Sequence, residues 1–226
     1  MDRQVLLRKI MGVGDEIRRL QQDIIALQSI DIVNYPENYS SLSHQAAIRC
    51  EFIAHKLRGL VYATTNTSRA DYLESAADGM GICVAKGNDG VVDITIPCLI
   101  PHRRKKQSGF ITDPLYAALA RFVSSQQQCS HFEHFKHCVI CITHVYDKEL
   151  FGKGRKRDHD NIETKGIIDA INTFLLTDDN ESLCDIYNAS ELSDQDITRI
   201  SIMKKDMFPE WVLGYRNRLE KVSQFS

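Results

Sequence analysis

The chain has 226 residues, enough for one large domain or two small ones around a real core. Its 43% hydrophobic and 26% charged residues are those of an ordinary soluble globular protein, and no apolar run is long enough to span a bilayer. A net charge of -2 and a pI of about 6.4 do not announce a nucleic-acid binder, yet a local basic patch could still do that electrostatic work.

The chain opens with MDRQVLLRK, which is charged and lacks the apolar core of a secretory signal. Its seven cysteines, an odd number, lie scattered in apolar stretches such as Cys138-Val139-Ile140-Cys141. Together these predict a reduced, cytoplasmic protein with buried thiols.

Leu6, Ile10, Val13, Ile17, Leu20, Ile24 and Leu27 recur at steps of four and three, a heptad seam. Gly12 and Gly14 weaken its first turns by about 1 kcal/mol each. NYPENYSS (34–41) breaks the pattern. A second helix is predicted over roughly 43–64, its stripe running through Ala47, Cys50, Ile53, Leu57 and Leu60. Two seamed helices with a short connection read as an antiparallel hairpin. The seams either pack on each other or on the rest of the chain, or form a dimerisation arm.

A short helix is expected over 68–78, ending near Gly79 or Gly81. Then the period changes. Ile82–Lys86 and Val91–Leu99 are β-rich, and GNDG (87–90) supplies a hairpin turn. A basic loop, PHRRKKQSG (101–109), follows. Asp113-Pro114 predicts a helix start, running to about Gln126. His137–Tyr146 reads as a buried strand. Further strands are expected near 183–188 and 197–203, with a last helix from about Pro209. The predicted fold class is α+β: a helical, coiled-coil-like region over 1–80 and a mixed α/β domain over 81–226.

Between these elements lies RKRDHDNIETKGIIDAINTFLLTDD, residues 155–179. Asp158 and Asp160 are two apart, so in an extended segment both carboxylates face one side. The pattern Ile162, Ile167, Ile168, Ile171, Leu175 fits a helix of about four turns. A tight turn after it would let Asp178 or Asp179 return towards the sheet end. Three hard oxygen ligands suit Mg²⁺ or Mn²⁺ better than Zn²⁺. A divalent cation would also relieve the mutual repulsion of the carboxylates. The same residues fit a plainer reading, with Asp160 as a helix N-cap and Asp178-Asp179-Asn180 as a turn. An EF-hand is excluded, because its sixth position needs Gly and holds Glu163.

The run Arg157-Asp158-His159-Asp160-Asn161, then Lys165, Asp169-Ala170-Ile171-Asn172 and Asp178-Asp179, resembles the RusA-type Holliday junction resolvases. The strands flanking 101–106 and leading to the acids look similar too, so the resemblance covers about 90–205. It implies a small dimeric endodeoxyribonuclease that cuts branched DNA with Mg²⁺. It implies Asp158, Asp160 and Asp179 as metal ligands and Lys165 as the lysine that assists at the phosphate. The stretch between Asn161 and Asp169 is one residue longer than the family pattern, so Lys165 aligns when that residue is absorbed near Ile162–Thr164. Residues 1–80 have no counterpart in the small resolvases.

Two basic clusters would hold DNA: Arg103, Arg104, Lys105 and Lys106, and Lys153, Arg155, Lys156 and Arg157. A solvated loop is the plain alternative for the first. A rival zinc constellation, Cys129, His131, His134, His137, Cys138, Cys141 and His144, is weakened by its strand, since Cys138 and Cys141 would point to opposite faces. The expected protein is therefore a metal-dependent, structure-selective endonuclease, homodimeric and cytoplasmic. The alternative is a non-catalytic nucleic-acid or protein-binding module on the same fold.

Overall fold

Heptad spacing does what it predicts at the N-terminus. A computed structural model describes residues 2–87, 89–101, 109–129, 132–149, 162–177 and 184–223. In it α1 runs over Arg3–Ser29 and α2 over Pro36–Thr64. Asp2 caps α1, its carboxylate accepting the Gln4 N–H at 3.3 Å. Helix α2 begins seven residues before the expected 43. Pro36 sits at its first position, where the missing N–H costs nothing and the fixed φ is already helical. Arg49 forks between the helices, donating to Asp23 at 2.8 Å and Glu16 at 2.9 Å. Those carboxylates hold its guanidinium above its ordinary pKa, Asp23 most strongly. Apolar burial in this hairpin is thin: Val13, Ala46 and Ile53 are its buried hydrophobic residues.

The chain divides into two compact units between Arg69 and Ala70. Helix α3 (Arg69–Met80) therefore lies almost wholly in the second unit rather than with the helical region drawn as 1–80. Its Ala77 is fully buried in the sheet's core, and Arg121 grips Asp78 through two hydrogen bonds of 2.7 and 2.6 Å. Gly81 ends α3 at φ +73°, the left-handed turn that glycine tolerates best.

The second unit is an α+β fold on a mixed five-stranded sheet. Strands β1 (Cys83–Lys86) and β2 (Val92–Ile96) form the GNDG hairpin. Then come α4 (Gly109–Cys129), β3 (Cys138–Asp147), α5 (Lys165–Leu175), β4 (Cys184–Ser193), β5 (Ile197–Lys204) and α6 (Phe208–Ser223). The sheet order is β1-β2-β5-β3-β4, with β3 and β4 parallel and every other pair antiparallel. Strand β3 is buried along nearly its whole length, as its apolar run predicts.

Helices α4 and α5 cover one sheet face. Ile94, Ile140, Ile142, Ile200 and Ile202 meet Leu115, Leu119, Ile167, Ile171 and Leu175 there. The other face carries a smaller cluster: Val91, Val139, Cys141 and Met203, with Tyr187 and Trp211 packed against it.

Two further helix boundaries differ from expectation. Helix α4 starts at Gly109, so Pro114 lies inside it rather than at its first position. The earlier start lets Ile111, 3% exposed, join the core one turn before Leu115. Helix α5 has 11 residues, three turns rather than four, and its N-cap is Thr164, not Asp160. The Thr164 carbonyl accepts from the N–H groups of Ile167 and Ile168.

Candidate functional site

The site builds from the end of β2. After Ile96 the chain turns, with the Cys98 N–H donating to the Ile96 carbonyl at 2.8 Å. The buried Thr198 hydroxyl donates to the Cys98 carbonyl at 2.9 Å. Ile100 is 1% exposed and fixes the exit into Pro101. There the Pro101 carbonyl accepts the Glu163 N–H at 3.0 Å. Pro101 is the last described residue before the basic stretch 102–108. Ile162, 4% exposed in the core, is the first after the segment 150–161 that carries the acids. One backbone hydrogen bond thus ties the exit of β2 to the approach to α5.

Helix α5 leaves this corner with a strongly divided surface. Ile167, Ala170, Ile171 and Leu175 turn to the core. Lys165 and Asp169 turn outward and pair at 3.3 Å, one turn apart. Gly166 lies where α5 crosses α4: a Cβ there would stand 2.8 Å from Thr112 Cγ2. Between the helices opens a cleft of about 160 Å³. Pro101, Thr112, Tyr116, Glu163, Gly166 and Asp169 are among its walls. It therefore presents two carboxylates, with the 73% exposed Lys165 side chain paired to one of them.

The other end of α5 is anchored differently. The Leu175 carbonyl accepts the Phe135 N–H at 2.8 Å, and the Thr177 N–H donates to the Phe135 carbonyl at 3.0 Å. Phe135 leads into β3, so the C-terminal end of α5 lies at the start of that strand. Eleven residues at about 1.5 Å each make it about 16 Å long. Lys165 and Thr177 thus stand at opposite ends of α5.

Of the predicted site residues, Lys165 is described and stands at the corner. Asp158, Asp160, Asp179, Arg103, Arg104, Lys105, Lys106, Lys153, Arg155, Lys156 and Arg157 lie outside the described residues. Among the described residues, no group of three or more His, Cys, Asp or Glu side chains is placed to hold a metal ion. The zinc alternative disperses: Cys138 packs in the larger core, Cys141 in the smaller one. Both thiols are held protonated. The neighbouring Cys184 thiol, with burial, raises Cys138 far above its ordinary value, and burial pushes Cys141 up to about 12.

The sequence profile of one family matches residues 2–226. The chain belongs to DUF6100, a family of unknown function. The match runs through both units, so the hairpin is part of the DUF6100 pattern as much as the sheet is. No curated protein matches the chain. A solved structure from Salmonella typhimurium, described as a candidate translation initiation inhibitor, aligns at 9% identity and a TM-score of 0.22, over 55% of this chain and 98% of its own. So loose a superposition carries no weight for fold or function.

One feature lay beyond the sequence reading. A cavity of about 610 Å³ opens on the other sheet face, between the sheet and α6. Asp93, Arg199, Ser201, Trp211 and Tyr215 help to line it. Ser201 donates to Asp93 at 2.5 Å, and Arg199 pairs with Glu191 at 3.3 Å. The alternation of polar Arg199 and Ser201 with buried Ile200 and Ile202 in β5 was the available signal for a polar second face.

Proposed function

We propose that the chain is a divalent-metal-dependent endodeoxyribonuclease acting on branched DNA, as its resemblance to the RusA-type resolvases implies. The observation that supports it best is the Pro101–Glu163 hydrogen bond at 3.0 Å. It joins the last residue before the basic stretch to the helix approach that follows the acidic segment, with Lys165 two residues on.

Asp158, Asp160 and Asp179 would hold Mg²⁺ or Mn²⁺ through hard carboxylate oxygens, which is the donor type these ions prefer. The bound ion would supply Lewis-acid stabilisation of the phosphate and a more acidic water. The chain's own residues would do the rest. Arg103, Arg104, Lys105 and Lys106, with Lys153, Arg155, Lys156 and Arg157, would neutralise phosphates and set the DNA in register without reading bases. Lys165 would exchange its exposed partner Asp169 for the scissile phosphate, where its ammonium would stabilise developing negative charge. Little is lost in that exchange, because exposed pairs of this kind are worth about 0.3–0.5 kcal/mol.

The test is cleavage of a labelled synthetic four-way junction with Mg²⁺, Mn²⁺ or EDTA, beside linear duplex and an Asp160→Asn control. Metal-dependent junction cutting that disappears in the variant is expected. Undiminished cutting by Asp160→Asn would overturn the assigned chemistry. Junction binding without any cutting would make the chain a non-catalytic DNA-binding module.

A further inference from the structure

A two-helix seam with a full heptad pattern has two apolar columns, and a closed coiled coil buries both. Helix α1 buries or half-buries one of them, Leu6, Val13, Leu20 and Leu27. The other, Ile10, Ile17 and Ile24, remains 49%, 41% and 44% exposed. At about 100° per residue it lies about 50° around the helix from the first. Helix α2 has a matching second stripe at Cys50, Ala54, Leu57 and Val61, beside its buried Ala46 and Ile53, with Cys50 and Leu57 exposed. Because the helices run antiparallel, both stripes turn to the same side of the hairpin.

We propose that this face docks a second copy of the same chain, with α1 packed antiparallel on α1 of that copy in a four-helix arrangement. Three observations favour a copy over an unrelated partner. The first is area. Helix α1 has 27 residues and is about 40 Å long, and two helices side by side are about 20 Å wide. That gives about 800 Å² per copy, the size of a standard stable interface.

The second is symmetry. An isologous interface must complement itself, and the column Ile10, Ile17, Ile24 is evenly spaced about Ile17. The third is charge. Residues 2–14 carry Arg3, Arg8 and Lys9 against Asp2, a net of +2, whereas in residues 15–31 Arg49 of α2 already holds Glu16 and Asp23, leaving Asp15 and Asp31 against Arg18 and Arg19, a net of 0. Antiparallel pairing keeps the two basic halves apart. The docking is independent of nuclease activity.

The test is the solution mass of the full chain by light scattering at micromolar concentration. Twice the 25.8 kDa chain mass is expected, halved in Ile17→Glu/Ile24→Glu with its helical circular dichroism retained. A monomeric wild type, or a double variant that stays dimeric, overturns the proposal. Should the double variant lose helix, Ile17→Cys decides. Mild oxidation should then give covalent dimer well above the background from exposed Cys50 and Cys83 in the wild type. No excess overturns the antiparallel face.

Discussion

Gly166 offers a way to weigh the α4–α5 contact that shapes the candidate cleft. Replacing it with Ala has two opposed effects. The better helix propensity of Ala stabilises by up to about 1 kcal/mol. Against that, the new Cβ would meet Thr112 Cγ2 at 2.8 Å, where two carbons prefer about 3.5–4.0 Å. The methyl of a β-branched residue cannot swing aside as a long side chain can. Overpacking of this kind costs about 1–3 kcal/mol. Gly166→Ala should therefore lose about 1 kcal/mol net.

Thr112→Ser removes the obstructing methyl, at about 0.8 kcal/mol for the lost burial. With that methyl gone, Ala at 166 should turn from destabilising to neutral or stabilising. The four chains would be compared by urea unfolding, followed by the fluorescence of Trp211, the chain's one tryptophan, which sits in the sheet unit. The expected coupling is about 1–3 kcal/mol in favour of the double variant. Additivity within about 0.5 kcal/mol would refute the steric account.

Other expectations follow from particular groups. Ile171→Ala empties a fully buried position where α5 meets the sheet, and should cost about 2–5 kcal/mol in the same urea assay. A thiol reagent should label exposed Cys50 and Cys83 long before Cys138 and Cys141, whose burial keeps them protonated; equal rates would contradict that. Because Cys141 is raised from 9.0 to about 12, its contribution to stability is complete below pH 9 and lost as pH rises towards 12. Denaturation midpoints measured across that window should fall, by at most about 1.4 kcal/mol per pH unit from this thiol. On the metal-ligand proposal, calorimetry should show Mn²⁺ binding that Asp160→Asn or Asp179→Asn weakens; unchanged affinity in both variants would refute the ligand assignment.

Periodicity carried the long, strongly patterned elements. The heptads of α1 state its type, the mostly apolar run of β3 its burial, and the divided face of α5 both its type and its buried side. What escaped was decided by tertiary contact. No local signal marks Gly109 as a helix start, and α4 extends back to it because Ile111 finds the core. Strand β4 runs to Ser193, well past the expected 188, through Ser190, Glu191 and an exposed Leu192. It lies at the sheet edge, where burial imposes no apolar alternation and Asp185 and Glu191 deter pairing with another chain. At the candidate site, the buried side of α5, Ile167, Ile171 and Leu175, was legible from spacing. The hydrogen bond from Glu163 to Pro101 was not, because it joins positions 62 residues apart through backbone atoms that no side-chain pattern encodes.

Strand β5 sits between β2 and β3, yet it is among the last elements made. Its Ser201 pairs with Asp93 across 108 residues of sequence. Until residues 197–204 leave the ribosome, β1–β2 and β3–β4 are two separate ribbons, each with an unsatisfied inner edge. Such long loop closures are slow, and apolar strand edges left open in the meantime invite wrong partners. The sheet is therefore locked by its latecomer, and a nascent chain has most need of a chaperone just before that strand arrives.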